Sequence, residues 1–374
     1  MNNLNKYSLL IVSKYFNTID DYINLIKTCK LYSDITLLFK YNPISDINNL
    51  FKNIETLHIY NKIRLNDFNF NSNFKNINRI IYWPKIKYHR MKNVKNHENI
   101  IFKNLEYCKN DCSKQLFNID LLKITSLGYK CLSGIESLYK IILPDNITRL
   151  ESRCFENCSN LNEIELKINI LPPACFLNCS NLQIIKFRNN GEDLIRIDND
   201  CFCNCSNLKE LIIPNNVTKI DKYCFRGCIN LSKIILPDNL KYIESGAFVN
   251  CSNLSTINLP INIKNMDDFI FVDCFNLKEI TIPDNIKILQ NSCFINCTNL
   301  SKINLSTNLI SLGCGCFENC LNLKELTIPN NVTKINNYCF RGCINLSKIE
   351  LPNSCELGYE CFIDCLNLSN IIFT

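Results

Sequence analysis

Leu208–Cys228 reads LKELIIPNNVTKIDKYCFRGC, and Leu323–Cys343 reads LKELTIPNNVTKINNYCFRGC; both continue into Ile-Asn-Leu. Two such segments in one chain are copies of one unit, and a unit of roughly 20–50 residues signals stacked repeats. Working outward, a phenylalanine followed three residues later by cysteine recurs at Phe155, Phe176, Phe202, Phe225, Phe248, Phe271, Phe294, Phe317, Phe340 and Phe362. The intervals are 21, 26, 23, 23, 23, 23, 23, 23 and 22 residues, and Leu132 opens the series 23 residues before Phe155. Eleven units therefore share one register.

The consensus is N-L-x-x-I-x-L-P-x-N-[IV]-x-x-I-x-x-x-C-F-x-x-C. Its L-x-x-I-x-L segment is short, rich in β-formers and alternating at its end, so it predicts one strand per unit. Proline then stops the strand. The [IV]-x-x-I stretch predicts a second extended piece on the back, and C-F-x-x-C a turn. One unit cannot bury its apolar face, but stacked neighbours can. The expected fold is an α/β-type repeat solenoid with one short parallel strand per unit, capped by a small N-terminal helical segment. Strands about 4.8 Å apart make eleven units roughly 50 Å long.

A fainter series comes first. Phe51-Lys-Asn-Ile is echoed by Phe74-Lys-Asn-Ile and Phe102-Lys-Asn-Leu. Ile54, Leu57 and Ile59 keep the strand spacing, as do Ile77, Ile80 and Tyr82. The expected organisation is a helical cap over 1–50, degenerate repeats over 51–125 and the regular array over 126–374.

The regular units resemble the BspA-like, or Treponema pallidum type, leucine-rich repeats. Cys224-Phe-Arg-Gly-Cys-Ile-Asn-Leu carries the resemblance well. That family commonly has Ala before the Phe; here Cys usually fills the place, with Ala247 an exception. The resemblance implies a binding module associated with adhesion and protein binding, as found in bacteria and parasitic protozoa, and no chemistry of its own.

The chain has 374 residues, 47% hydrophobic and 20% charged, with a formal charge of +6. The charge is +1 over residues 1–50, +8 over 51–110 and −3 over 111–374. The array is thus no basic nucleic-acid surface. The cluster Lys85, Lys87, Arg90, Lys92 and Lys95 reads as a solvated loop. No apolar run reaches the length of a membrane span, and Met1–Lys30 lacks signal-peptide features.

Of 25 cysteines, 22 lie between residues 131 and 365, in two ladders flanking the phenylalanines. A ladder is what a tight core slot demands, because free Cys packs as a small hydrophobe. Zinc is disfavoured, since His58, His89 and His97 all precede the array. Sequons at Asn230, Asn253, Asn299, Asn345 and Asn367 fall where an asparagine ladder is expected to satisfy buried backbone groups. These features favour a cytoplasmic location, with a cell surface reached by an unconventional route as the alternative.

The third and fifth residues of each strand segment are expected to face outward. Alternating signs at the third place should pair between strands: Lys140 with Glu163, Glu210 with Lys233, and Glu279, Lys302, Glu325, Lys348 in a row. Ile184, Ile212 and Ile235 form an apolar patch there. The candidate protein-binding face comprises Ile184, Glu210, Ile212, Lys233, Ile235, Thr256, Glu279, Thr281, Lys302, Glu325 and Lys348.

Leu9, Val12, Phe16, Ile19, Ile23 and Ile26 suggest two short amphipathic helices. Leu25-x-x-x-Cys29-Lys30-x-Tyr32 is similar to the second half of an F-box, although the usual Leu-Pro opening is missing. If it is one, the protein is a substrate receptor of a ubiquitin ligase. At the other end, the strand before Thr374 offers an edge for end-to-end self-association. There is no P-loop, G-x-G-x-x-G, G-x-S-x-G or H-E-x-x-H motif, and the array has no histidine. The expectation is a non-enzymatic scaffold with protein partners and no cofactor.

Overall fold

The computed structural model describes residues 21–24, 39, 56–60, 79–92, 100–108 and 124–374. The chain divides into two compact units, Met1–Ser126 and Leu127–Thr374.

In the first unit, strands Thr56–Ile59, Arg79–Tyr82 and Ile100–Phe102 pair in parallel, with Leu57 beside Ile80 and Ile80 beside Ile100. The inward side chains Leu57, Ile59, Ile80, Tyr82 and Ile100 make its core. Most of the basic cluster is not the loop expected, and Lys95 lies outside the described residues. Ile86–Lys87 is a strand paired with Leu105–Tyr107, and Tyr88–Lys92 is a helix. Lys85 ion-pairs with Glu106. Of the expected N-terminal cap, residues 21–24 are helical, and Tyr22 packs edge-on against Phe39 with ring centroids 5.9 Å apart. The F-box-like segment Leu25–Tyr32 lies outside the described residues.

The second unit is a parallel β-solenoid. A turn typically contributes a front strand, such as Glu210–Ile212 or Lys233–Ile235, and a two-residue back strand, such as Lys219–Ile220 or Tyr242–Ile243, although at Thr256 the front strand is reduced to a single bridge to Glu279. The extended piece expected on the back is therefore itself a ladder. Its longest run joins Ile170–Leu171, Arg196–Ile197, Lys219–Ile220, Tyr242–Ile243 and Asn265–Met266. Helix is scarce among the described residues of this unit, where a 3-10 turn at Arg188–Gly191 replaces part of one repeat.

The consensus residues have distinct tasks. Proline starts a tight turn, with the Val217 N–H donating to the Pro214 carbonyl at 3.0 Å. The asparagine two residues later caps the preceding turn; Asn239 Nδ2 donates to the Asn215 carbonyl at 3.3 Å and Asn262 Nδ2 to that of Asp238 at 3.0 Å. The phenylalanines from Phe155 to Phe340 are fully buried. Their rings stack face to face, 5.5 Å apart for Phe202–Phe225 and 5.4 Å for Phe294–Phe317. Offset aromatic stacking of this kind adds about 0.5–1.5 kcal/mol per pair beyond area burial.

Both cysteine ladders are buried apart from the half-buried Cys365, and the second makes a specific bond. Cys205 Sγ donates to the Phe176 carbonyl at 3.2 Å, Cys251 Sγ to that of Phe225 at 3.2 Å and Cys297 Sγ to that of Phe271 at 3.1 Å. The residue before that cysteine is left-handed in each turn: Asn204 has φ 60°, Asn250 58° and Asn296 59°. Asn, Asp and Gly tolerate this conformation best, which explains why they fill the position.

The asparagines ahead of the strand leucines depart from expectation. They bond chiefly to one another, Asn253 Nδ2 to Asn230 Oδ1 at 3.1 Å and Asn299 Nδ2 to Asn276 Oδ1 at 3.3 Å. Asn345 does donate to a backbone carbonyl, that of Leu321 at 2.8 Å. Asn230 and Asn299 are half-buried and Asn253 and Asn367 exposed, because each turn already closes its own backbone through the bond from Leu to Cys.

Candidate binding face

The front strands bury alternate side chains. In Glu210–Ile212 and Lys233–Ile235, the central Leu211 and Ile234 face the core while the flanking residues are exposed. Ile184, Glu210, Ile212, Lys233, Ile235, Thr256, Glu279, Thr281, Lys302 and Glu325 are all exposed on this face, and Lys348 is half-buried. Ile184, Ile212 and Ile235 are 41%, 65% and 44% exposed, high values for isoleucine. All three line one groove of about 1130 Å³, together with Glu210 and Lys233. The remaining candidates lie along the same face at other turns.

The charge ladder keeps the expected register where strands pair, with Lys140 beside Glu163, Glu210 beside Lys233, Glu279 beside Lys302 and Glu325 beside Lys348, but the expected row of four is broken, because the strands of Lys302 and Glu325 do not pair. Contact ion pairs form more selectively. Glu163 receives Lys186 Nζ at 2.6 Å and Lys140 Nζ at 3.0 Å. These two ammoniums, Lys186 foremost, hold its carboxyl below the usual carboxylate range. Arg188 bridges Glu165 at 2.8 Å and Asp145. Lys348 turns to Glu350 of its own strand at 2.7 Å rather than to Glu325.

Sequence reasoning missed two features. The stacked Tyr60 and Trp83 rings, 6.1 Å apart, form an exposed aromatic pair in the first unit, with Trp83 Nε1 donating to His58 Nδ1 at 3.2 Å. Burial and the nearby Lys103 keep the His58 pKa low. The two rings follow Ile59 and Tyr82 in successive degenerate turns, 23 residues apart, so the repeat spacing is the signal that places them side by side. The second is the shape of the groove, whose origin lies in the 26-residue interval.

The buried ladder thiols are poor nucleophiles. Burial pushes Cys158 up to about 11 and Cys361 up to about 12, so the nucleophilic thiolate is scarce at neutral pH. Among the described residues no group of three or more His, Cys, Asp or Glu side chains is arranged to hold a metal ion. Among them, too, no helix is long and apolar enough to cross a membrane.

A parallel solenoid with a phenylalanine spine and an asparagine-capped turn is a leucine-rich-repeat architecture. The sequence matches the BspA type leucine rich repeat region over residues 105–195, 190–300 and 264–374, and the chain belongs to that family. A leucine-rich cell surface protein of Faecalibacterium prausnitzii is 22% identical, with 67% of this chain covering 83% of that one at a TM-score of 0.42. The Treponema pallidum leucine-rich repeat protein is also 22% identical, with 53% of this chain covering 82% of that one at a TM-score of 0.39. The pneumococcal vaccine antigen PcpA is 21% identical, with 67% of this chain covering 60% of that one at a TM-score of 0.43. No curated protein matches the chain.

Proposed function

We propose that this protein is a non-enzymatic scaffold that holds a protein partner on the front strand face of its solenoid. The observation that carries this reading is the concentration of exposed isoleucine around one groove. Ile212 at 65% exposure leaves aliphatic surface in water, and such a patch rimmed by polar residues marks interaction sites. Partner binding in an adhesive setting is in keeping with the family. The strand Asn370–Phe373 pairs on one side with Lys348–Leu351 and exposes Ile371 and Phe373. Self-association through that strand belongs to the same proposal, and a concentration-independent monomer mass by light scattering argues against it.

The test is site-specific photo-crosslinking in the native cell. A photoreactive residue at Thr281 on the front should yield a discrete adduct, and one at Lys241 on the back should not. Ile212→Asp with Ile235→Asp should abolish the front adduct. Equal adducts from both faces, or a front adduct insensitive to that double substitution, argue against the reading.

A further inference from the structure

Every interval in the central and C-terminal array is 22 or 23 residues after Phe202, but Phe176 and Phe202 are 26 apart. The extra length is taken up at Arg188–Gly191, where Asn189, Asn190 and Gly191 are all left-handed at φ 50°, 54° and 75°. On the back the ladder runs through undisturbed, Ile197 pairing with both Leu171 and Ile220. On the front it parts. Ile184–Phe187 pairs only with Glu163–Leu166, and Glu210–Ile212 only with Lys233–Ile235. Two sheet edges thus face each other without bonding.

The opening is closed at both ends. Asn207 N–H donates to the Ser180 carbonyl at 3.0 Å. At the other end Gly191 lies so near Pro214 that a Cβ on it would fall 2.3 Å from the proline Cγ. Between these ends is the slot of about 1130 Å³. Its floor is apolar and reachable: Ile164 and Leu211 in the flanking turns are buried, while Ile185 at the same repeat position and Phe187 are half-buried. The front sheet is also interrupted after Lys233–Ile235 and after Lys302–Asn304, but there Ile257, Ile303 and Leu326 stay buried.

The rim is acidic. Glu192, Asp193 and Glu210 line the slot against one ammonium, Lys233. The nearby cations Lys186 and Arg188 are already engaged by Glu163 and Glu165. Asp193 Oδ2 is buried without a hydrogen-bond partner, Lys167 Nζ being 3.9 Å away.

We infer that this slot takes an extended segment of a partner protein in which an aliphatic side chain neighbours a lysine or arginine. One unpaired edge supplies main-chain hydrogen bonds to the segment, as in strand addition. The aliphatic side chain covers Ile185 and Phe187, and the basic one meets the carboxylates of Glu192, Asp193 and Glu210. Phosphate-bearing ligands are repelled by the same rim. The inference rests on the reading of the front face as the protein-binding face, and narrows it to one place and one chemistry.

The experiment uses two short synthetic peptides with blocked ends, one with an Ile-Lys-Ile-Lys core and one with an Ile-Glu-Ile-Glu core, titrated into the full chain by fluorescence anisotropy. The lysine peptide should bind, more weakly at high salt, and the glutamate peptide should not. Combining Glu192→Gln, Asp193→Asn and Glu210→Gln should weaken the lysine peptide about tenfold, the effect of losing ~1.4 kcal/mol. Deleting Asn189–Gly191 restores a 23-residue interval and should abolish binding. If the deletion unfolds the chain, the carboxamide variant, which changes rim groups alone, decides. No binding of the lysine peptide to the wild type, equal binding of both peptides, or undiminished binding to the carboxamide variant overturns the inference. A Thr281 adduct that persists beside any of these results leaves the front-face reading intact, so the two fail separately.

Discussion

The carbonyl oxygen of Phe202 accepts two bonds from cysteine: the Cys205 N–H of its own turn at 3.1 Å and the Cys228 thiol of the next turn at 3.2 Å. The cysteine ladder is therefore more than a row of small apolar side chains. It closes each turn through its N–H and ties it to the previous turn through its sulfur. Cys228→Ala should remove the tie and leave a small void, destabilising the array by about 1–2 kcal/mol. Cys228→Leu keeps the site apolar but overpacks it, and should cost about 1–3 kcal/mol. Urea denaturation of both variants measures the difference. An alanine variant as stable as the wild type would show that the thiol bond contributes nothing net.

The same burial gives the protein an alkaline weakness. A thiol titrates near 9.0 when exposed, whereas Cys158 in the fold is pushed up to about 11. Above the ordinary value the unfolded chain releases protons that the native chain still holds, so stability falls as pH rises. The stabilising contribution is complete below about pH 9 and is lost as pH climbs through the folded value. The urea midpoint should decline between about pH 9 and pH 11, and declining less in a Cys158→Ala, Cys179→Ala variant would assign the slope to the thiols. An unchanged slope in that variant would assign it to other groups.

The period, the strand and its outward positions are legible because they obey a strict chemical pattern. Leu211 and Ile234 had to be inward once Ile213 and Leu236 were. Hydrogen-bond partners are less legible, since an asparagine can satisfy a carbonyl or another asparagine at equal spacing. Asn230 bonds Asn207 while Asn345 bonds the Leu321 carbonyl, with Cys-Ile-Asn-Leu-Ser-Lys-Ile around both. The slot is the harder case. The 26-residue interval is plain in the sequence, but three added residues could equally have bulged outward with the sheet intact. The outcome depends on Gly191 folding back against Pro214, a tertiary contact without a one-dimensional signal.

Gly227 stands where neighbouring turns carry Asn204 and Asn250, and its φ is 72°. A Cβ there would meet Asn204 Oδ1 at 2.2 Å. That oxygen belongs to a side chain able to swing, and Asn204 itself stacks on Asn178 with a 2.8 Å amide bond. Gly227→Asn should therefore extend the amide ladder and leave stability within ~0.5 kcal/mol of the wild type. Gly227→Val places a β-branched residue in the left-handed region and should cost ~1–3 kcal/mol. Thermal unfolding of the pair is the measurement, and equal losses would mean that the ladder does not accept asparagine at this turn.

The oxidation state of the 25 cysteines bears on where the protein works. Half-exposed and exposed sequon asparagines such as Asn230 and Asn253 leave room for a glycan, so the sequons no longer weigh against secretion. The thiols carry the argument instead. Neighbouring turns stand about 4.8 Å apart, within the Cα range that a disulfide spans, so spacing alone permits bridges between successive ladder positions. Forming one would remove the Sγ donors that Cys228 and Cys251 give to the Phe202 and Phe225 carbonyls. The thiol count therefore separates a reducing compartment, where disulfides are rare, from an oxidising one. Protein isolated from its own cells, denatured under alkylating conditions, should then show nearly every cysteine free by mass spectrometry. Adjacent ladder pairs recovered as disulfides would reverse this, put the chain in an oxidising compartment, and make the cell-surface location the leading one.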